Sequence, residues 1–279
     1  MKMNSRLVLI ALFAIVQIFT SCRSAKPVMA IPDQFAKEAT KLSIPENNTG
    51  RKPLQLGDYN TSKVHRGWNL TSSQFDRDQH VTIEDRVLRL MGIRKEHITE
   101  KQKDKFQFTI QHQSALAEIY ALERKVTAST RYKTYSKWLS EYTTLETADY
   151  LFSAAILTSP DTATGKWELE IYGHQDPSAK SGNMIERYGW EEGGYVTNGI
   201  DTMIIRSVKV DKVISPNGQQ TTMPFAVFKA YEFWSGDVVA AIVDTFGNNI
   251  WIHNGLDDQT RLIVTSCSIA ILMRRNAVF

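Results

Sequence analysis

Apolar and polar residues alternate along much of the second half of the chain, as they do in strands with one buried face. Trp167, Leu169 and Ile171 fall on one side of such a strand, while Glu168 and Glu170 fall on the other. Segments rich in turn-forming residues, such as 159–165, separate consecutive runs and predict antiparallel hairpins. Further strands are predicted at 106–110, 150–157, 166–172, 195–197, 203–213, 225–234, 237–246 and 249–253.

The last apolar segment does not alternate. Residues 259–275 contain no Gly or Pro, and their apolar side chains would point in every direction around a helix, which predicts a buried helix. Asp257 or Asp258 can cap its first turn, and Arg274 and Arg275 complement the negative end of its dipole. A final β-strand is the alternative, because β-branched residues are frequent here.

Two segments interrupt the β pattern. Thr82 can cap a helix that carries an apolar stripe and ends at Gly92, so residues 72–104 are predicted to form a helical insertion. Residues 115–145 fit either a strand or a helix. The predicted fold class is therefore α+β and mainly antiparallel β, either a closed barrel or a sandwich, with a buried C-terminal helix.

The first part of the chain lacks such patterns. Residues 23–58 hold four of the eight prolines and little apolar periodicity, which is typical of an extended, solvated linker. We therefore expect a signal peptide at 1–21, a lipidated tether at 22–58 and a single β-rich domain at 59–279 that includes the helical insertion.

The N-terminus has the three zones of a secretory signal. Lys2 and Arg6 precede a nearly continuous apolar run at 7–19, and two small residues stand before Cys22. This run is too short to span a bilayer core, which takes roughly 20 apolar residues. The residues Phe19-Thr20-Ser21-Cys22 resemble the lipobox of bacterial lipoproteins, with Phe19 in the place usually held by Leu.

The lipobox resemblance implies cleavage before Cys22 and attachment of lipid to that cysteine. Two or more acyl chains anchor a protein stably to a membrane. Arg23 stands where an Asp is linked to inner-membrane retention in some bacteria, so we expect placement in the cell envelope, at the outer membrane facing the periplasm.

Charge and cysteine content narrow the function classes. Two of the 33 basic residues lie within 1–21, which leaves 31 basic against 30 acidic residues in the mature chain. Such a balance argues against nucleic acid as a partner, since that binding needs a basic face. Apart from Cys22 the chain has only Cys267, which lies in an apolar run and is expected to be a buried, inert thiol.

The C-terminal half resembles the tubby C-terminal-like superfamily, which includes phospholipid scramblases and LURP-one-related proteins. Three segments carry the resemblance: 236–242, 249–252 and 256–258 leading into 261–273. The resemblance implies a closed antiparallel barrel of about twelve strands threaded by a C-terminal helix. Relatives bind phosphoinositides or are proposed to move lipids, which implies a lipid partner.

No recognisable catalytic or metal-binding motif is present. The six histidines include no pair spaced as helical metal ligands and no cysteine cluster assists them, so we expect no metal and no cofactor. The Gly193-Gly194 pair is interpreted as a turn. A loop at 174–195 combines a histidine, carboxylates and aromatic residues and is the candidate binding loop; its candidate residues are His174, Glu186, Tyr188, Trp190, Glu191 and Tyr195.

Three functions follow, in descending order of preference. The first is a non-catalytic envelope lipoprotein whose tethered domain binds a protein or a cell-wall partner, with Tyr188 and Trp190 as a stacking surface for a sugar. The second is a lipid-binding barrel, as the superfamily resemblance implies. The third is an envelope hydrolase that would use a clustered His174 and Glu186.

Overall fold

The computed structural model of the chain describes residues 28–45, 50–76, 88, 93–134, 141–160, 165–175, 191–215, 217–222 and 228–274. Among these residues, two helices are described over their full length, α1 (Asp33–Lys37) and α2 (Asp258–Leu272). The strands are β1 (Val28–Met29), β2 (Ala39–Ser43), β3 (Gln55–Leu56), β4 (Tyr59–Thr61), β5 (His65–Arg66), β6 (Leu70–Asp76), β7 (Ile93–His112), β8 (Ala115–Thr134), β9 (Glu141–Ser159), β10 (Lys166–Gln175), β11 (Glu191–Thr197), β12 (Thr202–Val210), β13 (Lys212–Ile214), β14 (Gln220–Thr222), β15 (Phe228–Ser235), β16 (Val238–Asp244) and β17 (Asn249–His253).

Twelve strands form one continuous antiparallel sheet in the order β2-β17-β16-β15-β12-β11-β10-β9-β8-β7-β4-β3, and β5 and β6 add to β7. The two end strands curve toward each other. A side-chain carbon on Gly57, next to β3, would lie 3.5 Å from Leu42 of β2. The sheet is therefore a nearly closed barrel, which confirms the expected mainly antiparallel β class.

Helix α2 fills the interior of this barrel. Ten consecutive residues, 262–271, are buried, and the helix contacts β8, β9, β16 and β17. Its polar side chains are satisfied within the helix, since the hydroxyls of Thr265, Ser266 and Ser268 each donate to the carbonyl four residues earlier at 2.7 Å. The predicted buried helix is confirmed, and the alternative of a final strand is wrong.

The predicted Asp257 cap and the position of Arg274 at the end of α2 are also confirmed, whereas Arg275 lies outside the described residues. The Asp257 carboxylate accepts the backbone N–H of Thr260 at 2.9 Å, and the Arg274 Nε donates to the Ile271 carbonyl at 3.1 Å. Each end of the helix thus has a backbone group bonded by a side chain. Cys267 is fully buried, and desolvation by that burial raises the pKa of its thiol, as expected for an inert residue.

The expected tether at 22–58 is wrong for the residues that the structure describes. Leu42, Ile44 and Leu54 are buried in the main core. Val28 and Met29 pair with β13 in a three-stranded sheet outside the barrel, packed on a second cluster that includes Trp251. The prolines suggested an extended linker, but they lie in the connections between these short elements.

The expected helical insertion at 72–104 is wrong at both ends. Residues 72–76 belong to β6 and residues 93–104 to β7; of the segment between them only Leu88, which is helical, is described. The charged residues of β7 concealed its strand character, because they are paired across the sheet, as Glu96 is with Lys133 at 3.0 Å. Residues 115–134, left open between helix and strand, form β8.

Candidate functional site

The candidate binding loop is described only in part. Cys22, Glu186, Tyr188 and Trp190 lie outside the described residues, whereas His174, Glu191 and Tyr195 lie on the neighbouring strands β10 and β11.

The described residues of that loop make surface contacts. His174 Nδ1 lies 2.7 Å from Asp149 Oδ1, and both side chains are more than half exposed. The Tyr195 hydroxyl donates to Glu170 at 2.6 Å, and this hydrogen bond to a carboxylate raises the pKa of Tyr195 to about 12. The His174–Asp149 pair is so open to solvent that it contributes little to stability.

The Gly193-Gly194 pair lies within β11 and not in a turn. A side-chain carbon on Gly194 would lie 2.0 Å from the Glu170 carbonyl oxygen of β10. Glycine is needed there because the two strand backbones approach closely.

A buried polar network lies at the C-terminal end of α2, where the sequence indicated only dipole-compensating arginines. Arg274 is fully buried and its guanidinium donates to the hydroxyls of Tyr231 at 2.7 Å and Tyr150 at 3.2 Å. Glu192 accepts from Arg274 at 3.4 Å and from the Tyr231 hydroxyl, and Glu123 accepts from Tyr150 at 2.8 Å. The network joins four strands of the barrel to the end of the helix.

Burial and pairing set the protonation of this network. Desolvation raises the pKa values of Tyr150 and Tyr231 well above their ordinary value, although the positive charge of Arg274 opposes this effect. Desolvation alone would lower the pKa of Arg274, but the two tyrosines and Glu192 around it raise that pKa. At neutral pH the guanidinium is therefore charged and both phenols are neutral.

A second arginine closes the same end of the helix. Arg66 of β5 donates to Asp104 at 3.1 Å and to the Met273 carbonyl at 2.5 Å. Asp104 is fully buried. Arg66 thus adds a bond to the C-terminal turn of α2 and forms an ion pair with Asp104 at this end of the barrel.

These arginines lie beside a pocket of about 560 Å³, which we call the basic pocket. Arg274 is buried and Arg66 half-buried, while Arg51 and Lys63 are exposed. The basic pocket is lined by Gly50, Arg51, Lys63, Val64, Arg66, Leu272, Met273 and Arg274.

Gly50 fixes the shape of the basic pocket. Its φ angle is +79°, and a side-chain carbon there would lie 2.4 Å from Val64 Cγ2. Its carbonyl accepts the backbone N–H of Val64 at 2.8 Å. Only glycine combines this left-handed backbone conformation with the close contact, so Arg51 is held next to the chain that carries Lys63.

The basic pocket suits an anionic ligand. Asp104 neutralises Arg66, and Glu192 neutralises Arg274, so the excess positive charge comes from Arg51 and Lys63. The Arg66 side chain, held by Asp104 and 14 % exposed, presents guanidinium N–H donors in a fixed geometry that matches phosphate or carboxylate oxygens. The Arg274 side chain has no exposed surface and supports the wall of the pocket. Sequence reasoning missed the pocket because its four basic residues are scattered between positions 51 and 274.

Within the described part of the chain, no group of three or more His, Cys, Asp or Glu side chains is placed to hold a metal ion. No helix among the described residues is both long and apolar enough to cross a membrane. Comparison of the chain with protein-family models, with curated proteins and with solved structures found no match.

Proposed function

We propose that the chain is a lipid-anchored, non-catalytic binding protein of the bacterial cell envelope, at the outer membrane, and that its barrel binds an anionic group of a partner in the basic pocket. The carrying observation is the convergence of Arg51, Lys63, Arg66 and Arg274 on one cavity of about 560 Å³. Cavities of this size accommodate small-molecule groups.

The arrangement favours binding of an anionic group at the basic pocket over binding of a lipid inside the barrel. Helix α2 fills the interior, where Ile263, Val264 and Ala270 are fully buried against the strands. A lipid would therefore have to bind through its headgroup at the basic pocket. The shared chemistry of the ligand is a phosphate or carboxylate, carried by a cell-wall polymer, by a protein or by a membrane lipid.

Binding assays on the mature chain without its lipid distinguish which of these sources carries the anion. One arm uses vesicles of phosphatidylcholine with and without a phosphoinositide. The other uses soluble peptidoglycan chains, a cell-wall polymer whose peptides carry carboxylate groups. We propose a cell-wall polymer as the source of the anion, so we expect binding to the soluble polymer. Lys63→Glu should abolish this binding. Lys101→Glu, which changes an exposed lysine on β7, is the matched control and should keep binding.

Vesicle binding that Lys63→Glu abolishes, without binding to the polymer, would assign a lipid headgroup instead. Equal binding by the wild type and Lys63→Glu in both arms, or no binding in either, would overturn the proposal.

A further inference from the structure

Strand β6 forms an open edge of the sheet. It pairs with β7 through all of its residues, from Leu70 to Asp76, and among the described residues no strand pairs with its other side. Residues 70–75 are exposed and contain no charged residue and no proline. Natural proteins usually protect an edge strand with charge, with proline or with a covering element. The edge of β6 therefore leaves alternate backbone N–H and C=O groups available to a further strand.

Basic side chains cover the outer face of the strands next to β6. Lys103 pairs across the sheet with Leu70 on one side and with Arg124 on the other. Their chain neighbours Asp104 and Glu123 are fully buried on the inner face, so Lys103 and Arg124 point outward. Both are exposed, and within the described part of the chain neither forms an ion pair.

Exposed apolar side chains lie at the same place. Trp68 is 88 % exposed and Leu70 is 59 % exposed. The backbone N–H of Gly67 donates to the Lys105 carbonyl at 2.8 Å, which holds the chain at Trp68 beside β7. Lys105 is itself exposed on the outer face. We call this surface the β6 edge site; it consists of the free edge of β6 together with Trp68, Leu70, Lys103, Lys105 and Arg124.

The β6 edge site lies on the far side of the barrel from β1. The small sheet of β1 packs on residues of β12, β15, β16 and β17. In the order of the twelve strands β15 is the fourth and β7 the tenth, so the two lie half a turn of the barrel apart. With lipid on Cys22, as proposed above, the β6 edge site points away from the membrane. This position favours a soluble partner over a bilayer.

From these features we infer that the β6 edge site binds an extended acidic segment of another protein, which adds to β6 as a further strand. Main-chain hydrogen bonds to β6 supply the attraction, and acidic side chains at alternate positions of the segment meet Lys103 and Arg124 on the outer face. Phe75, on the opposite face and 56 % exposed, contacts the apolar residues between them. The site is separate from the basic pocket and does not depend on the anion proposed for that pocket.

The inference is tested by fluorescence anisotropy of a labelled short peptide in which Glu alternates with Val, titrated with the mature chain without its lipid. We expect saturable binding that weakens as the salt concentration rises, because the charges involved are exposed. The same peptide with Lys in place of Glu should not bind.

Backbone methylation separates strand addition from simple charge attraction. Two further Glu–Val peptides are methylated at alternate backbone nitrogens, each at the positions that the other leaves free. Only one of the two sets of N–H groups faces β6, so one peptide should lose binding and the other should keep it.

Charge reversal locates the peptide on the molecule. Lys103→Glu combined with Arg124→Glu should weaken binding of the Glu peptide about tenfold and should allow the Lys peptide to bind. Lys166→Glu, at an exposed position of β10, is the charge control and should bind the Glu peptide as the wild type does. Pyrophosphate, a small anion for the basic pocket, should not displace the peptide at constant ionic strength.

The inference would be overturned if the Glu peptide does not bind, if the double variant binds it equally, if both methylated peptides behave alike, or if pyrophosphate displaces it. Binding to phosphatidylglycerol vesicles in place of the peptide, lost in the double variant, would assign a membrane surface to the site and would also overturn the inference.

Discussion

Arg274 links the C-terminal end of α2 to the surrounding barrel strands. Its guanidinium has no exposure to solvent and contacts Tyr150, Tyr231 and Glu192, which come from three different strands. The guanidinium carbon of Arg274 lies 4.9 Å from the centre of the Tyr231 ring, which adds a cation–π interaction. A buried charge of this kind persists because its partners compensate its lost hydration, and each partner is therefore sensitive to substitution.

We expect Tyr231→Phe to lower the free energy of unfolding by about 1–3 kcal/mol. The change removes a hydroxyl that bonds both Glu192 and Arg274 and leaves these two buried groups short of a partner. Urea unfolding followed by circular dichroism measures it. Tyr172→Phe, at an exposed position of β10, is the control and should change stability by less than about 0.5 kcal/mol. Equal stability of the two variants would contradict the network's role.

Stability should decrease at alkaline pH. Because burial raises the pKa values of Tyr150 and Tyr231, the unfolded chain ionises these phenols first. The stabilising effect is therefore complete below about pH 10 and is lost as the pH rises above it, by about 1.4 kcal/mol per pH unit for each phenol. Urea midpoints measured in steps from neutral to alkaline pH check this. Tyr231→Phe should have a shallower slope, and an unchanged slope would be the contrary result.

At the scale of elements, α2 is stabilised by its first turn. The Asp257 carboxylate bonds both the backbone N–H and the hydroxyl of Thr260, at 2.9 and 2.6 Å. Desolvation would raise the pKa of Asp257, but these bonds outweigh it and the pKa is lowered. The cap's contribution is therefore present above the ordinary pKa of an aspartate and is lost as the pH falls through the lowered value.

We expect Asp257→Ala to lower the free energy of unfolding by about 1 kcal/mol, within a range of about 0.5–2 kcal/mol for such caps. Asp258→Ala, one residue further into the helix, removes only a charge near the dipole and should cost less, about 0.3–1 kcal/mol. Thermal unfolding of both variants at neutral pH decides the order. A larger loss for Asp258→Ala would contradict the observed cap.

The elements that sequence predicts correctly are those with a one-sided or all-round apolar pattern. Trp167, Leu169 and Ile171 alternate and form the inner face of β10, and the apolar residues of 262–271 form the buried helix. The N-terminal half of β7 has no such pattern, because this part of the strand extends past the hydrophobic core. Ion pairs replace apolar contacts there, as Glu96 with Lys133 on β8 shows.

The polar sites were less accessible to sequence reasoning than the fold. Arg274 was correctly placed at the helix end, but a sequence does not show that Arg51, Lys63 and Arg66 meet it across the barrel. The positive φ and crowding of Gly50, which shape that pocket, depend on contacts with Val64 that arise only in three dimensions. Of the six candidate residues of the predicted binding loop, only His174, Glu191 and Tyr195 are described.

At the scale of the whole molecule, the first described strand begins soon after the proposed lipid. β1 starts at Val28, so five residues separate it from Cys22. Even fully extended, that connection spans at most about 20 Å, at 3.3–3.6 Å per residue. The small sheet of β1, β13 and β14 would then lie near the membrane surface, in place of a long tether.

We expect the mature protein to begin at Cys22 and to carry lipid on it. Intact-mass analysis of the membrane-extracted protein should show a chain starting at this residue with the added mass of acyl groups. Cys22→Ala should block processing, because the nucleophilic thiol that accepts the lipid is gone. An unmodified Cys22 in the mature chain would contradict the proposed anchor.

The central claim, that the basic pocket recognises an anion, is tested most directly by calorimetric titration of the delipidated mature chain with pyrophosphate. We expect saturable binding that weakens about tenfold or more in the double variant Arg51→Met, Lys63→Met, since these two residues supply the excess charge. Lys101→Met should bind as the wild type does. Equal affinity of the double variant and the wild type, or no binding at all, would contradict the account.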